Sequence, residues 1–548
     1  MWRKLGRSLA QPIRYAALAA GALPVLAFPA ANVEFLAWFG LVPGLLIMRA
    51  ALSAREAAVR GCWFGTGFVL AAHYWLAPNL GPALLLVAVV LGSLWAGFGV
   101  SARALLRAPV TMRRALAALV VVPSYWLVVE WIRSWQALGG PWALLGASQW
   151  RHPVVLALAA VGGVWLVTFA LVAANTGIVI LLAAGRTLVR AVGGAATAVM
   201  VAAGPVAFTL LPAFQPTGSV SLAIVQPGIV HNPKLRAGAS QRLSAGLGRL
   251  HPGLILWGES SVAFDLRTDH TMLRRMEALS AADRAQILLN QDSLIPGGKS
   301  KVAVLVGPRG IVGTYTKTRL VPFGEYIPFR QQLGWLTGIS RAAPVNMIPG
   351  DGARVIDATV PGGQPLRMGV LICFEAAFPD MSRVDALHGA QVIVYQTSDS
   401  TFQQSWALDQ HASLVAVRAA ETGRPAVQAA LTGVSAAFDA RGRLLTWFGA
   451  SRRGVVMVHI GLVPTSEVTP FDRFGDYVPW AAVGIAFLAA AIALNHRSRR
   501  IRVVGIMVDG NRRPVSPVTL SEAGSEPGHP PDPQNPGGEA ASPSQAGR

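Results

Sequence analysis

The chain has 548 residues, of which 53% are hydrophobic and only 14% charged, with a formal net charge of +20. A soluble globular protein carries nearer a quarter charged residues, so this composition excludes an ordinary cytosolic domain and points to a membrane protein with room for one further globular domain. The basic excess does not form a stripe; its arginines flank apolar runs, which argues against a nucleic-acid partner.

A bilayer core needs about twenty largely apolar residues per helix. In chain order the candidates are Ile13 to Pro29, Val33 to Met48, Ala57 to Leu76, Pro82 to Val100, Ala115 to Ile132, Val154 to Ala183 and Val192 to Leu211, the first two short enough to tilt, pair closely or be partly re-entrant. With Val478 to Leu494 this gives about eight crossings. The basic start at Arg3 and Lys4 followed by an apolar run could mimic a signal peptide, but the further spans make it a retained anchor. Cytoplasmic loops keep their Lys and Arg. Arg3, Lys4 and Arg7, then Arg49, Arg55 and Arg60, then Arg103, Arg107, Arg113 and Arg114, then Arg186 and Arg190 are thus expected inside, with the uncharged turns near Ala31 and Pro78 outside. Seven crossings carry the following region to the outer face, and Arg497, Arg499, Arg500 and Arg502 return to the inside. The expected division is residues 1–212 as a transmembrane bundle, 213–476 as an extracytoplasmic catalytic domain, 477–496 as a last transmembrane helix, and 497–548 as a basic, then disordered, cytoplasmic tail.

Residues 213–476 read as α/β or α+β, with short β-rich runs between Gly, Pro and Asp turns. Strands are predicted at Val220 to Val225, Leu254 to Trp257, Gln286 to Leu289, Val302 to Val306, Ile311 to Tyr315, Arg367 to Ile372, Val392 to Tyr395, Ala426 to Ala429, Ser435 to Phe438 and Val455 to His459. Helices are predicted at Thr271 to Ala282 and Trp406 to Glu421.

Three polar residues follow predicted strands directly. Glu259 lies just past Leu254 to Trp257, beside an aromatic that would desolvate it and raise its pKa toward that of a general base. Lys317 follows the hairpin of Val302 to Val306 and Ile311 to Tyr315, where an ammonium can stabilise a thiolate or an oxyanion. Cys373 follows Met368 to Ile372, and a thiol at a strand end sits at the rim of a sheet, where a nucleophile is held rigidly. Each residue alone has a bland alternative, a solvated loop side chain or a buried small hydrophobe. Cys62 is the other cysteine, in an apolar run far from Cys373, so no disulfide framework is expected. His388 and His411 lack ligand-like spacing with cysteine and read as surface or core histidines; no metal or other cofactor is expected.

Glu, Lys and Cys in this order, each after an apolar strand, resemble the nitrilase (carbon-nitrogen hydrolase) superfamily. Within it, the run Lys317 to Pro328, with Leu320-Val321-Pro322-Phe323-Gly324-Glu325-Tyr326-Ile327-Pro328, is similar to the membrane-bound apolipoprotein N-acyltransferase branch. Gly139-Gly140-Pro141-Trp142, then Arg418, Glu421 and Gly423 to Pro425, then Thr432 to Ser435, and Pro470 to Asp476 agree with that branch, so the resemblance covers about residues 15 to 495. It implies a polytopic α-helical membrane bundle carrying an αββα sandwich, with Glu259 as base, Lys317 at the oxyanion and Cys373 as the thioester-forming nucleophile. Glu325 and Glu375 would support the site. Phe323, Tyr326, Trp335, Phe374 and Trp142 are the candidates to face substrate or lipid, with Leu333 to Ile339 as part of a lid. The implied reaction moves a fatty acyl chain from a phospholipid to the α-amino group of a lipoprotein's N-terminal diacylglyceryl-cysteine, at the outer face of a bacterial inner membrane, by a protein expected to act as a monomer. A membrane-tethered amidase and a non-catalytic scaffold remain as alternatives.

The chain departs from the family at Gly258, where proline is usual, at Ser398 to Phe402, at Gln428 and at Leu431. Its Arg- and Ala-rich composition is similar to actinobacterial members. The sequence leaves the preferred donor, the acceptor range and the oligomeric state open.

Overall fold

The computed structural model describes residues 2–211, 213–295, 297–338, 343, 345–402 and 404–509. The tail expected to be disordered from Val508 on falls almost wholly outside the described residues, as does part of the segment expected to form a lid.

The N-terminal part is all helical: α1 (Trp2–Ala22), α2 (Val42–Arg49), α3 (Ala54–His73), α4 (Ala77–Leu80), α5 (Ala83–Gly92), α6 (Ala96–Leu106), α7 (Met112–Arg133), α8 (Pro153–Ala183) and α9 (Thr187–Leu210). Among the described residues five helices are long and apolar enough to cross a membrane: Ala83–Leu106, Met112–Arg133, Pro153–Ala183, Thr187–Leu210 and Tyr477–Asn495. The expected spans Ile13 to Pro29 and Ala57 to Leu76 are not among them, and neither is Val33 to Met48. The Val33 to Met48 segment is a 3-10 turn, Glu34–Trp38, followed by the eight-residue α2, about 12 Å of helix against a hydrocarbon core of about 30 Å.

Two six-stranded sheets follow. The chain runs β1 (Gly218–Gln226), α10 (Pro233–Ser244), β2 (Leu254–Trp257), α11 (His270–Asp283), β3 (Gln286–Ile295), β4 (Gly298–Gly307), β5 (Gly310–Thr316), α12 (Arg330–Leu333), β6 (Val355–Thr359), β7 (Pro365–Ile372), α13 (Pro379–Leu387), β8 (Val392–Thr397), α14 (Ala407–Thr422), β9 (Ala426–Ala430), β10 (Ser435–Phe438), β11 (Leu444–Phe448), β12 (Gly454–Leu462), α15 (Pro470–Phe474) and α16 (Tyr477–Asp509). The sheet orders are β12-β1-β2-β3-β4-β5 and β11-β10-β9-β8-β7-β6. At the heart of each, three strands run parallel, β1-β2-β3 and β7-β8-β9, with antiparallel strands on the flanks.

Strict alternation along the strands explains the layering. In the first sheet Val225, Ile255, Trp257, Ile287, Leu289 and Val304 share one core with Met276 of α11 and Ala237 of α10. The intervening residues Ile224, Leu254, Leu256, Leu288 and Leu305 join Val370, Ile372, Val394 and Val427 of the second sheet in another. Helices thus cover both outer faces of a sheet pair, an αββα sandwich as the motif pattern implied.

The sandwich and the helical bundle are interlocked at a break in α8. Gly162 (φ −134°) and Gly163 (φ 69°, ψ −178°) leave the helical region, and a Cβ on Gly163 would stand 2.7 Å from the Phe471 ring. A glycine is required there. The N–H of Val164, released by the break, donates to Glu421 Oε1 of α14 at 2.7 Å, while Trp165 donates to Asp476 at 3.0 Å.

Candidate active site

The nucleophile candidate sits at a forced bend. Ile372 ends β7, and Cys373 takes a left-handed φ of 52°, opening the 3-10 turn Cys373–Ala377. A non-glycine residue costs about 1–2 kcal/mol in this conformation, so the surroundings must hold it. Glu375 does so. Its Oε2 accepts the Ile372 N–H at 2.7 Å, while its Oε1 accepts the N–H groups of Thr318 (2.6 Å) and Arg319 (2.9 Å) and the Tyr315 hydroxyl (2.8 Å). One buried carboxylate therefore ties the end of β7 to the segment leaving β5. Burial pushes its pKa up even so, against the pull of those N–H donors.

Glu259 follows β2 by two residues and is 3% exposed. Its backbone is anchored by its N–H donating to the Thr397 carbonyl at 3.1 Å. A Cβ on Gly258 would lie 1.9 Å from the Leu431 nitrogen, so the β9–β10 turn occupies the space that any side chain would need. Two of the departures from the family pattern, Gly258 and Leu431, thus meet each other. Of the others, Asp399 accepts from Thr397 Oγ1, and Gln428 donates to the Val434 carbonyl.

The electrostatics of Glu259 differ from the expectation. Burial alone would raise its pKa, but the ammonium groups of Lys317 and Lys301 outweigh burial and hold it below 4.5. Trp257, expected to desolvate it, belongs to the outer core instead and donates to Ser244 Oγ at 2.9 Å. The partners of Glu259 are Lys317 Nζ at 3.3 Å and Lys301 Nζ at 3.6 Å, and the Cys373 thiol lies beside it.

Lys317 is 1% exposed and sits between two carboxylates. Its Nζ lies 2.7 Å from Glu325 Oε1, and the other Glu325 oxygen accepts the Val321 N–H at 2.9 Å. Burial disfavours the charge, yet Glu259 and Glu325 together raise the Lys317 pKa well above its ordinary value. Glu259, Lys317, Cys373, Glu325 and Glu375 therefore converge. The thiol moves the other way from a reactive thiolate: burial first, then the neighbouring Glu259, push it well above 9, with Lys317 opposing. The resting pair is a neutral thiol beside a charged carboxylate.

Two site residues escaped the sequence reading. Lys301, in the interior of β4, donates to Ser260 Oγ (2.5 Å) and Asp292 Oδ1 (3.0 Å) beside Glu259; the alternating Lys299-Ser300-Lys301 run reads only as a strand. His411, classed as a surface or core histidine, is buried at the site. Its Nδ1 lies 2.8 Å from Asp399 Oδ1 and its Nε2 3.0 Å from the Cys373 carbonyl oxygen. Both partners accept, so both ring nitrogens donate and the ring is an imidazolium; burial opposes this, and Asp399 overrides it. Cys373, Asp399 and His411 present ligand-type atoms within 4.8 Å of one another, and both ring nitrogens of His411 already have partners, Asp399 Oδ1 and the Cys373 carbonyl oxygen. The His411 nitrogen nearest the nucleophile candidate is thus engaged by its carbonyl, while the Glu259 carboxylate lies beside its sulfur.

The aromatic candidates divide. Trp142 and Phe374, expected to face substrate or lipid, are buried at 4% and 8% exposure. Trp142 donates to Gln410 at 3.0 Å, packs at a tilt against Trp75 and meets Phe402 edge-on. Phe374 meets Phe378 edge-on, and a Cβ on Gly140 would come within 2.7 Å of it. They seat the Gly139 to Trp142 loop against the nucleophile turn. Phe323 and Tyr326 are half-buried, and Trp335 is 63% exposed.

Comparison with known proteins agrees in both halves of the chain. Residues 20–177 match the apolipoprotein N-acyltransferase N-terminal domain, and residues 278–468 match the carbon-nitrogen hydrolase family. The second match contains Lys317, Glu325, Cys373 and Glu375; Glu259 lies just ahead of it. An amidase structure from Nesterenkonia sp. is 16% identical, covers 46% of this chain and 92% of its own, and has a TM-score of 0.32. The apolipoprotein N-acyltransferase of Geobacter metallireducens is 27% identical over 88% of this chain and 95% of its own length. That of Rhizobium meliloti is 30% identical over 86% of this chain and 94% of its own. Spanning nearly the whole of such relatives, bundle and sandwich together, the chain belongs to the apolipoprotein N-acyltransferase family.

Proposed function

We propose that this protein N-acylates lipoproteins, moving a fatty acyl chain from a phospholipid through a Cys373 thioester to the α-amino group of an N-terminal diacylglyceryl-cysteine. The observation that carries the reading is a Glu259 carboxylate, 3.3 Å from Lys317 Nζ, standing close enough to the Cys373 thiol to govern its ionisation. Because the thiol is neutral at rest, its proton passes to Glu259 as sulfur attacks the ester carbonyl. Lys317, with a backbone N–H of the nucleophile turn, steadies the oxyanion. The ester C–O bond breaks and the lysophospholipid leaves with the proton from Glu259. The acceptor amine then attacks the thioester, its proton goes to Glu259, the C–S bond breaks, and the thiol recovers its proton.

Glu325 keeps Lys317 placed, and Glu375 keeps the nucleophile turn against it. Exposed Phe329 and Trp335, and the half-buried Phe323 and Tyr326, are the aromatic side chains on the segment proposed to meet lipid. The bundle (1–212) and last helix (from 477) would anchor the catalytic part (213–476) at the outer face of the inner membrane as a monomer, with the tail in the cytoplasm. Arginines beside the apolar helices support that orientation.

The test is mass spectrometry of the intact protein incubated with phospholipid alone, then with a diacylated lipopeptide bearing a free amine. An acyl adduct on Cys373 that moves to the amine is the expected result. An adduct that water discharges to free fatty acid would make the protein an amidase-like hydrolase, and no adduct with unchanged cellular function in Cys373→Ser would make it a scaffold.

A further inference from the structure

The ammonium of Lys301 has no place in the three-residue scheme, yet it is built into the same charge cluster. It projects from β4 and reaches Glu259 Oε1 at 3.6 Å, Asp292 Oδ1 at 3.0 Å and Ser260 Oγ at 2.5 Å, with 14% of its side chain exposed. Its backbone carbonyl accepts the Lys317 N–H at 2.9 Å, so Lys301 on β4 and Lys317, just past the end of the neighbouring β5, converge on one carboxylate oxygen. The groups facing Glu259 are then Lys301 from β4, Lys317 after β5 with its partner Glu325, Cys373 after β7, and the His411 imidazolium of α14 paired with Asp399. Lys317 is shared with Glu325, which lies closer to it than Glu259 does. Lys301 is shared with Asp292, whose side chain is 35% exposed and therefore partly screened by water.

We propose that Lys301 is a positioning residue that keeps Glu259 ionised and aimed at the thiol, so that the proton acceptor stays competent in acid surroundings where an ordinary buried carboxylate would be protonated. This rests on Glu259 being the acceptor for the Cys373 proton, and it assigns the acid tolerance of that step to a residue outside the Glu-Lys-Cys set. Without Lys301, burial is opposed by a single lysine whose charge is already divided with Glu325. An opposite charge at this range shifts a carboxylate by about 1–3 pH units. The direction in the intact site agrees: Glu259 lies below 4.5 despite burial.

The test is the pH dependence of Cys373 alkylation by iodoacetamide in the full-length, detergent-solubilised protein, counted on the Cys373 peptide so that Cys62 does not contribute. The wild type is expected to keep its Glu259-assisted alkylation down into the acid range below an ordinary glutamate's pKa. In Lys301→Gln the acid limb should move up by about 1–3 pH units, with the Glu259-assisted rate above it unchanged. Asp292→Asn disturbs the same Ser260, Asp292 and Lys301 contacts but leaves the positive charge, and its limb should stay at or below that of the wild type. A Lys301→Gln limb that coincides with the wild type, or an Asp292→Asn limb that rises with it, would reduce Lys301 to a structural brace and overturn the proposal. Acyl adduct formation from phospholipid is followed in parallel. Failure of the adduct with a shifted alkylation limb would count against the acyl donor alone, since alkylation needs no lipid.

Discussion

Glu375 Oε1 lies 2.6 Å from the backbone nitrogen of Thr318, so the residue two places after the nucleophile holds the residue one place after the ammonium. Because the other oxygen of the same carboxylate takes the Ile372 N–H, the spacing between Cys373 and Lys317 is set by one side chain that touches neither reacting group. An amide cannot replace it, since its NH2 would face a backbone donor on one side. Glu375→Gln should cost about 1–3 kcal/mol of stability and slow Cys373 acylation by roughly 10²-fold through displacement of the turn. Thermal unfolding and the time course of the acyl adduct measure the two effects, and unaltered adduct kinetics would refute the positioning role.

The left-handed backbone of Cys373 gives a prediction free of catalysis. Neither Cys373→Ala nor Cys373→Gly can form an adduct, but only glycine relaxes at φ 52°. Cys373→Gly should therefore be the more stable of the two by about 1 kcal/mol, measured by denaturation in detergent. The reverse order would mean that the turn stores no strain.

Gly258 has no room for a side chain, with the Leu431 nitrogen 1.9 Å from an added Cβ. Gly258→Ala should lose about 1–3 kcal/mol and displace Glu259, lowering the adduct rate as well as the melting temperature. An alanine variant with wild-type stability would show that the β9–β10 turn moves aside freely.

Stability should depend on pH through the helix break. Burial pushes the Glu421 carboxyl up to about 7, with Arg418 pulling the other way. A folded-state pKa above the unfolded value means that the native protein holds the extra proton. Stability from this group is then greatest below about 4.5 and is lost as pH rises through 7. Asp472, also raised to about 7 by burial, has the same sign. The melting temperature should fall between about pH 5 and 8, with Glu421 contributing up to ~3 kcal/mol. Glu421→Gln, which keeps an acceptor for the Val164 N–H, should flatten that slope; an equally steep slope in the variant would remove Glu421 as its source.

The three candidate catalytic residues were legible because each stands within two residues of a strand's end, where an apolar run gives way to a polar residue. Edge strands were harder: β6 and β11 each have a single neighbour at the outer margin of the second sheet, and although turn glycines such as Gly352, Gly362 and Gly442 flank them, each is a five-residue run that is only partly buried. Lys301 was hidden because a lysine alternating along a strand has the same pattern whether it meets solvent or a buried carboxylate. The direction of the Glu259 shift was misjudged for the same reason. The nearby tryptophan could be seen in the sequence, but the two lysines that decide the charge arrive from strands dozens of residues away. His411 fell on a correctly predicted helix, yet its ionised state depends on Asp399 and on the Cys373 carbonyl, which only the assembled fold brings to it.

The glycine pair that interrupts α8 has a last consequence for how the protein can be handled. A fragment cut at the start of β1 would leave Glu421 and Phe471 facing a missing wall, with a carboxylate and an aromatic ring newly wetted on a face made to adjoin a helix. Anchor and enzyme are thus one indivisible article of manufacture for the cell, and purification has to carry the lipid-embedded half along.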